Sequence, residues 1–171
     1  MNAKDLEGLT AIVTGSAQGL GLGIARELAS RGAAVVVADL QLDKAEAACE
    51  KMRAVGWAAT AAELNITDSA AVNAFFAGFD RLDILVNNAG SSPGGIIEHL
   101  SEDDWAQSLQ LKFMGYVRCL RYVLPIMVQQ NGGRVLNLIG NDGVKPSYWE
   151  IAPGAANAAG QNLTISLAGQ Y

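Results

Sequence analysis

The chain has 171 residues, 50% of them hydrophobic, which suits one domain with a sizeable core and argues against disorder. Its 12 Lys+Arg against 17 Asp+Glu leave a net charge of -5, so neither a nucleic-acid backbone nor an anionic membrane is an expected partner. Cys49 and Cys119 have the spacing of neither a metal site nor a disulfide framework, and no metal is expected. The mixed charges of residues 1–8 lack the apolar core of a signal peptide, and no apolar run approaches the ~20 residues that span a bilayer. A cytoplasmic location is the expectation.

In chain order, residues 9–14 form a short β-branched run ending at Gly15, the pattern of a strand buried on both faces. Leu20, Ile24, Ala25 and Leu28 then recur at helical spacing over residues 19–31, and Gly32 stands where a helix C-terminus favours glycine. A second strand at 33–38 and a helix at 42–55 complete a right-handed βαβ unit. The alternation continues with a strand at 57–64, a helix at 68–79 capped by Thr67 or Asp68, and a strand at 82–86. After Asn87, Asn88, Ala89 and Gly90 come a Gly/Ser/Pro loop at 91–95 and a long helix over 102–130, which Ser101 can cap. A fifth strand at 134–139, a loop at 140–150 and an Ala-rich helix at 153–170, with Pro153 at its start, end the chain. The pattern predicts an α/β fold: a single Rossmann-type domain over 1–171, a doubly wound parallel sheet with helices on both faces. The ligand crevice of such a sheet lies at the carboxyl ends of its strands.

The turn from the first strand into the first helix carries Gly15, Gly19 and Gly21. Glycine there lets the backbone turn tightly and approach a ligand, and the helix N-terminus offers free N–H groups to a pyrophosphate. The spacing departs from the general Gly-x-Gly-x-x-Gly fingerprint, but the strand before, the helix after and Asp39 at the end of strand two supply the context of a dinucleotide site. Gly15, Ser16, Gln18, Gly19, Leu20 and Gly21 are the expected contacts. Asp39 can accept from the adenosine ribose hydroxyls and would repel a 2′-phosphate, so NAD is expected rather than NADP. Arg31 and Lys44, the nearby cations, fit solvated helix faces.

The turn, Asp39, Asn65-Ile66-Thr67-Asp68 and Asn87-Asn88-Ala89-Gly90 together resemble the short-chain dehydrogenase/reductase family over nearly the whole chain. The resemblance implies that Asn65 and Ile66 flank the adenine and that Asn88, Ala89 and Gly90 lie beside the cofactor. Asn65 stands where aspartate is commoner, a mild change because an amide still donates and accepts. The family transfers a proton through an Asn-Ser-Tyr-Lys tetrad while hydride moves to or from nicotinamide. Here those positions read Lys112, Gly140, Pro153 and Asn157, and no Tyr-x-x-x-Lys occurs. Proline and glycine carry no exchangeable proton, and neutral asparagine cannot depress a phenol pKa.

Asn141, Asp142, Lys145, Ser147, Tyr148 and Glu150 occupy the loop before the last helix, at the ligand side of the sheet. Tyr148 is the first candidate for a displaced acid/base, against the alternative of an ordinary loop tyrosine. Lys112 can lower its pKa or bind an anionic substrate, and snorkelling to water explains it equally. His99, the only histidine, reads as a solvated surface residue beside Glu98, Glu102 and Asp103.

Members of the family continue past the last helix, whereas this chain stops at Tyr171, so a truncated chain is expected. The small residues Gly154, Ala155, Ala156, Ala158, Ala159 and Gly160 would permit close helix approach, either in the homo-oligomer the resemblance implies or within one chain. The expected function is that of an NAD-dependent oxidoreductase acting on a hydroxyl or ketone of a small organic substrate through a non-standard site. The alternatives are an inactive NAD-binding protein and a non-redox lyase or isomerase on the same scaffold.

Overall fold

The computed structural model describes residues 4–91 and 93–171. Residues 1–3 of the N-terminal segment, and Ser92 of the predicted 91–95 loop, lie outside the described residues.

Five parallel strands form one sheet in the order β3-β2-β1-β4-β5, where β1 is Thr10–Thr14, β2 Ala34–Asp39, β3 Ala59–Glu63, β4 Ile84–Asn87 and β5 Arg134–Asn137. The chain runs from central β1 out to β3, then crosses back to β4, so β1 and β4 flank a switch point where a crevice opens at their carboxyl ends. Register is set by alternation. Val13, Val35, Val37 and Val86 face α1 (Gly19–Ser30) and α2 (Leu42–Arg53), while Ile12 and Leu85 face α3 (Ser69–Phe76) and α5 (Gly115–Gln129). Both faces are thus apolar, as a doubly covered parallel sheet requires, and each fully buried Val or Ile contributes roughly 1.5–3 kcal/mol. Cys49 and Cys119 are free and buried in opposite layers, and burial pushes the Cys119 thiol up to about 12. Among the described residues no helix is long and apolar enough to cross a membrane.

Several boundaries differ from expectation for physical reasons. Asp68, not Thr67, caps α3, its carboxylate accepting from the N–H groups of Ala70 and Ala71 at 2.8 and 3.2 Å. The long helix is three pieces: α4 (Glu102–Leu109), opened by a Ser101/Asp104 capping box, a π-helical turn at Gln110–Met114, and α5. The final helix α6 spans Ile151–Gln170, so Pro153 is its third residue rather than its first. A proline is tolerated there because the first four N–H groups of a helix have no intrahelical partner. Ala152, Ala156 and Gly160 of α6 are buried within the chain, so these small residues already serve an intramolecular contact. Strand β5 ends at Asn137 and its exposure alternates, Leu136 being 49% exposed, because nothing among the described residues pairs along its outer edge.

Candidate functional site

A cleft of about 600 Å³ opens at the carboxyl ends of the strands. Its lining joins Gly15, Gln18, Gly19, Leu20 and Gly21 with Asp39, Asn65, Ile66, Asn88, Ala89 and Gly90, residues far apart in sequence. A second concavity of about 610 Å³ lies between α5, β5 and α6 and contains none of these residues.

The glycine turn is held by groups behind it. Gly15 adopts φ +62°, and a Cβ there would stand 2.7 Å from Ala89 Cα, so both conformation and space demand glycine. The Asn88 carboxamide donates to the carbonyls of Thr14 and Gly15 at 2.9 and 2.8 Å, while Thr14 Oγ1 accepts from the N–H groups of Asn88 and Ala89, both at 3.1 Å. Gly21 lets α1 sit against this lock, for a Cβ would approach Asn88 Nδ2 to 2.4 Å and the Gly15 oxygen to 2.5 Å. A Cβ on Gly19 would meet nothing within 4 Å in the protein, and α1 starts with neither a side-chain cap nor an acidic residue in its first turn. The free N–H groups of that turn, edged by open space, fit an anionic pyrophosphate.

Ser16 departs from the expected contact set. It is fully buried, its hydroxyl donates to the Val13 carbonyl at 2.6 Å, and it is not part of the cleft lining. A local hydrogen bond turns it inward.

Asp39 lies at the end of β2, 8% exposed. One of its oxygens accepts from the Ala17 N–H at 2.9 Å and the other from the Gln41 N–H at 3.0 Å. Each carboxylate oxygen keeps a lone pair for a ribose hydroxyl, so Asp39 can order the turn and still receive a sugar. Asn65 uses its Oδ1 locally, accepting from the Thr67 N–H at 3.0 Å and the Thr67 hydroxyl at 2.7 Å. An aspartate would accept the same pair, which explains why the amide is a mild change and leaves only its NH₂ for an adenine.

The far end of the cleft is lined by Gly90, Ser91, Leu111, Lys112, Tyr116, Leu138, Ile139 and Gly140. Two of the four tetrad positions, Lys112 and Gly140, therefore reach it, whereas Pro153 and Asn157 are buried in α6 away from the lining. The Asn157 amide donates to both Asp142 oxygens, at 3.2 and 3.1 Å. A Cβ on Gly140 would fall 2.3 Å from Asp142 Oδ1 and 2.5 Å from Asn157 Nδ2. The Asp142–Asn157 pair thus fills the space a serine side chain would need.

Of the loop candidates, Tyr148 is 65% exposed, packs its ring 4.7 Å from that of Trp149, and does not line the cleft. Lys145 and Glu150 are exposed, as is His99 outside the loop. The tyrosine that does line the cleft is Tyr116, which the sequence reading missed. Its phenol donates to the Leu138 carbonyl at 3.0 Å, and burial, with the Cys119 thiol nearby, pushes its pKa well above the ordinary value. A phenol so placed resists giving up its proton and supports the cleft floor. Its position one residue beyond Gly115, the glycine that lets α5 close on Ile66, was the available signal: a Cβ on Gly115 would meet Ile66 Cδ1 at 2.6 Å.

This fold and cleft define a Rossmann-type α/β protein with a crevice at the carboxyl ends of its strands, and comparison with known proteins specifies the family. The short chain dehydrogenase family model matches residues 9–171, and the chain belongs to that family. It is 33% identical over 171 residues to 2,3-dihydro-2,3-dihydroxybenzoate dehydrogenase of Bacillus subtilis (strain 168), covering 98% of this chain and 66% of that protein. A short-chain dehydrogenase/reductase from Burkholderia phymatum, solved in complex with NAD, superposes with a TM-score of 0.91 at 27% identity over 98% of this chain and 61% of the other. A metagenomic short-chain oxidoreductase in complex with NADP gives 0.92 at 30% identity, over 96% and 77%. The chain spans just under two thirds of the length of the Bacillus relative.

Proposed function

We propose that this chain is the cofactor-holding part of an NAD-dependent oxidoreductase that acts on a hydroxyl or ketone of a small organic substrate without the family's usual tetrad. The observation that carries the NAD reading is the charge of the cleft. Asp39 stands at the adenosine end, and the one Lys or Arg in the lining, Lys112, is at the opposite end. A 2′-phosphate would therefore meet a carboxylate and no cation. Solved relatives with NAD and with NADP both superpose, so the preference rests on these residues.

In this reading the N–H groups at the start of α1 hold the pyrophosphate, Asp39 accepts from the adenosine ribose, and Ile66 with the Asn65 amide borders the adenine. Bound in this way, a nicotinamide ring would supply the hydride chemistry. The Lys112 stem lies across Gly90 at the far end of the cleft, and Leu111, Leu138 and Ile139 limit water. The exposed face of α6, with Ala155, Ala158 and Ile165, offers a surface for self-association, and a homo-oligomer completes the proposal.

The packing of Asp142 and Asn157 against Gly140 favours a second reading, an NAD-holding protein that performs no hydride transfer, because it forecloses the serine. Titration of the full-length protein with NADH and NADPH, followed by a screen of alcohols and ketones read by nicotinamide absorbance, separates the two. Tight NADH binding with turnover supports the oxidoreductase, binding without turnover supports the second reading, and equal or tighter NADPH binding overturns the NAD assignment.

A further inference from the structure

Lys112 sits in the π-helical turn Gln110–Met114, and its side-chain stem lies across Gly90: a Cβ on that glycine would touch Lys112 Cγ and Cε at 3.4 and 3.5 Å. The turn itself is fastened. Arg118 donates to the Gln110 carbonyl at 3.1 Å and to the Ile66 carbonyl at 3.3 Å, and to Ser69 Oγ at 3.0 Å, so the segment carrying Lys112 is tied to the loop beside the adenosine end. A π turn frees carbonyls from the regular ladder, and here the guanidinium satisfies one of them. Lys112 is therefore presented by a braced backbone rather than by a fraying one.

Its charge is unanswered. Lys4, Lys44, Lys51 and Lys145 are exposed to water, whereas Lys112 is half-buried, and among the described residues its ammonium has no hydrogen-bond or ion-pair partner. Arg31, Arg53, Arg81 and Arg118, by contrast, are all bonded to side-chain acceptors. The one carboxylate in the cleft lining, Asp39, is at the other end and already accepts two backbone N–H groups. Asp142 is outside the lining and accepts from Asn157. Leu111, Leu138, Ile139 and the Tyr116 ring surround the Lys112 end and lower its effective dielectric, which strengthens any ion pair formed there. The positions that would otherwise orient a carbonyl offer no hydroxyl, Gly140 having no side chain and Pro153 no donor.

We infer that the substrate carries a carboxylate close to its reacting carbon and that Lys112 binds this carboxylate, fixing the substrate by a charge-assisted hydrogen bond where the usual hydroxyl contacts are missing. The inference rests on the nicotinamide reading of the cleft, which places the reacting carbon at the end remote from Asp39.

The test uses full-length protein with saturating NADH, titrated with lactate, 3-hydroxybutyrate and mandelate, each beside its methyl ester, and read by NADH fluorescence. Cofactor and ligand are both reduced, so the readout is binding alone. At least one acid is expected to saturate with a Kd about ten-fold or more below that of its ester. Lys112→Gln should shrink this gap to about two-fold while NADH still binds, and Lys112→Arg should restore it. The inference is overturned if no acid saturates, if acids and esters bind alike, or if the preference survives in Lys112→Gln. It is also overturned if Lys112→Gln loses NADH affinity about ten-fold, which would make Lys112 a cofactor contact. If the native protein fails to bind NADH, the cofactor reading itself falls and takes the inference with it.

Discussion

The two ends of the cleft are built in opposite ways. At the end lined by the glycine turn, Asp39 accepts from the N–H groups of Ala17 and Gln41, Asn88 donates to the carbonyls of Thr14 and Gly15, and Thr14 Oγ1 accepts from the N–H groups of Asn88 and Ala89, so the turn is braced by the protein itself. At the other end the lining is Gly90, Gly140 and apolar side chains with one unpaired lysine, and the polar pair behind Gly140 is satisfied by itself. Holding a dinucleotide requires preformed donors at fixed spacing, and the proposed reading finds them in the N–H groups at the start of α1. Proton transfer requires a titratable group at the reacting atoms, and Pro153 and Asn157, at the family's tyrosine and lysine positions, carry none, so in the proposed reading holding the cofactor and performing chemistry on it are separable.

The comparison breaks first at Gly21. Gly21→Val places a Cβ 2.4 Å from Asn88 Nδ2 and 2.5 Å from the Gly15 oxygen, so the lock and the start of α1 cannot both remain in place. NADH affinity should fall at least about 100-fold, more than 2.7 kcal/mol, by calorimetric titration. Gly19 is the control for stability. Its Cβ would meet no protein atom but would enter the space assigned to the pyrophosphate, so Gly19→Ala should lose NADH affinity while its cost in stability is limited to the strain of a φ of +60°, about 1–2 kcal/mol. Equal losses of stability in the two variants would show that the lock does not support the turn.

The next largest effect belongs to Asp39. Asp39→Ala strands the buried N–H of Ala17, at about 1–3 kcal/mol, and leaves that of Gln41 to water, so stability as well as affinity should drop. The preference for NADH over NADPH should narrow in the same variant because the repelling charge is gone. A denaturation midpoint unchanged from the native protein would mean that Asp39 does not organise the turn.

The glycine turn and Asp39 were legible in the sequence as a strand-to-helix turn and a strand end, and the packing at the other end of the cleft was not, for a reason that follows from where the determinants lie. Gly15, Gly19 and Asp39 answer local demands, a positive φ, an uncapped helix start and a strand end, and each demand leaves its mark within a few residues. The π turn at Gln110–Met114 leaves no such mark. It is stabilised by Arg118 reaching back to Gln110 and across to Ile66, and by Ile66 filling the space left by Gly115, contacts that close only in the tertiary fold. The inward turn of Ser16 was not legible because its hydroxyl has two local options, the cleft and the Val13 carbonyl, which composition cannot rank. The pairing of Asp142 with Asn157 is likewise a fact of packing between the 140–150 loop and α6, visible once Gly140 is known to leave room for it.

At the sparse end, Gly140→Ser tests whether that room exists. The new Cβ would lie 2.3 Å from Asp142 Oδ1, so the variant should lose about 1–3 kcal/mol of stability by overpacking. Removing the obstacle in Asp142→Ala should make the same serine less costly, giving a coupling of about 0.5–3 kcal/mol in a double-mutant cycle. Additive costs would show that Asp142 does not hold the space.

The smallest effect is expected at Tyr148. Its chemistry suits an acid/base, but its ring is 65% exposed against Trp149, and it contributes nothing to the cleft lining. Proton transfer needs hydrogen-bond reach of the reacting oxygen, which a phenol outside the cleft lining does not have. Tyr148→Phe should therefore change stability by no more than about 0.5 kcal/mol and leave NADH affinity and any turnover within about two-fold. A loss of 10²–10⁴-fold in turnover, the typical cost of deleting a positioned acid/base, would show instead that the 141–150 loop closes over the cleft during reaction and brings Tyr148 to the substrate. The two outcomes differ by orders of magnitude, so one substitution decides whether chemistry at the sparse end comes from the loop or from the residues already lining the cleft.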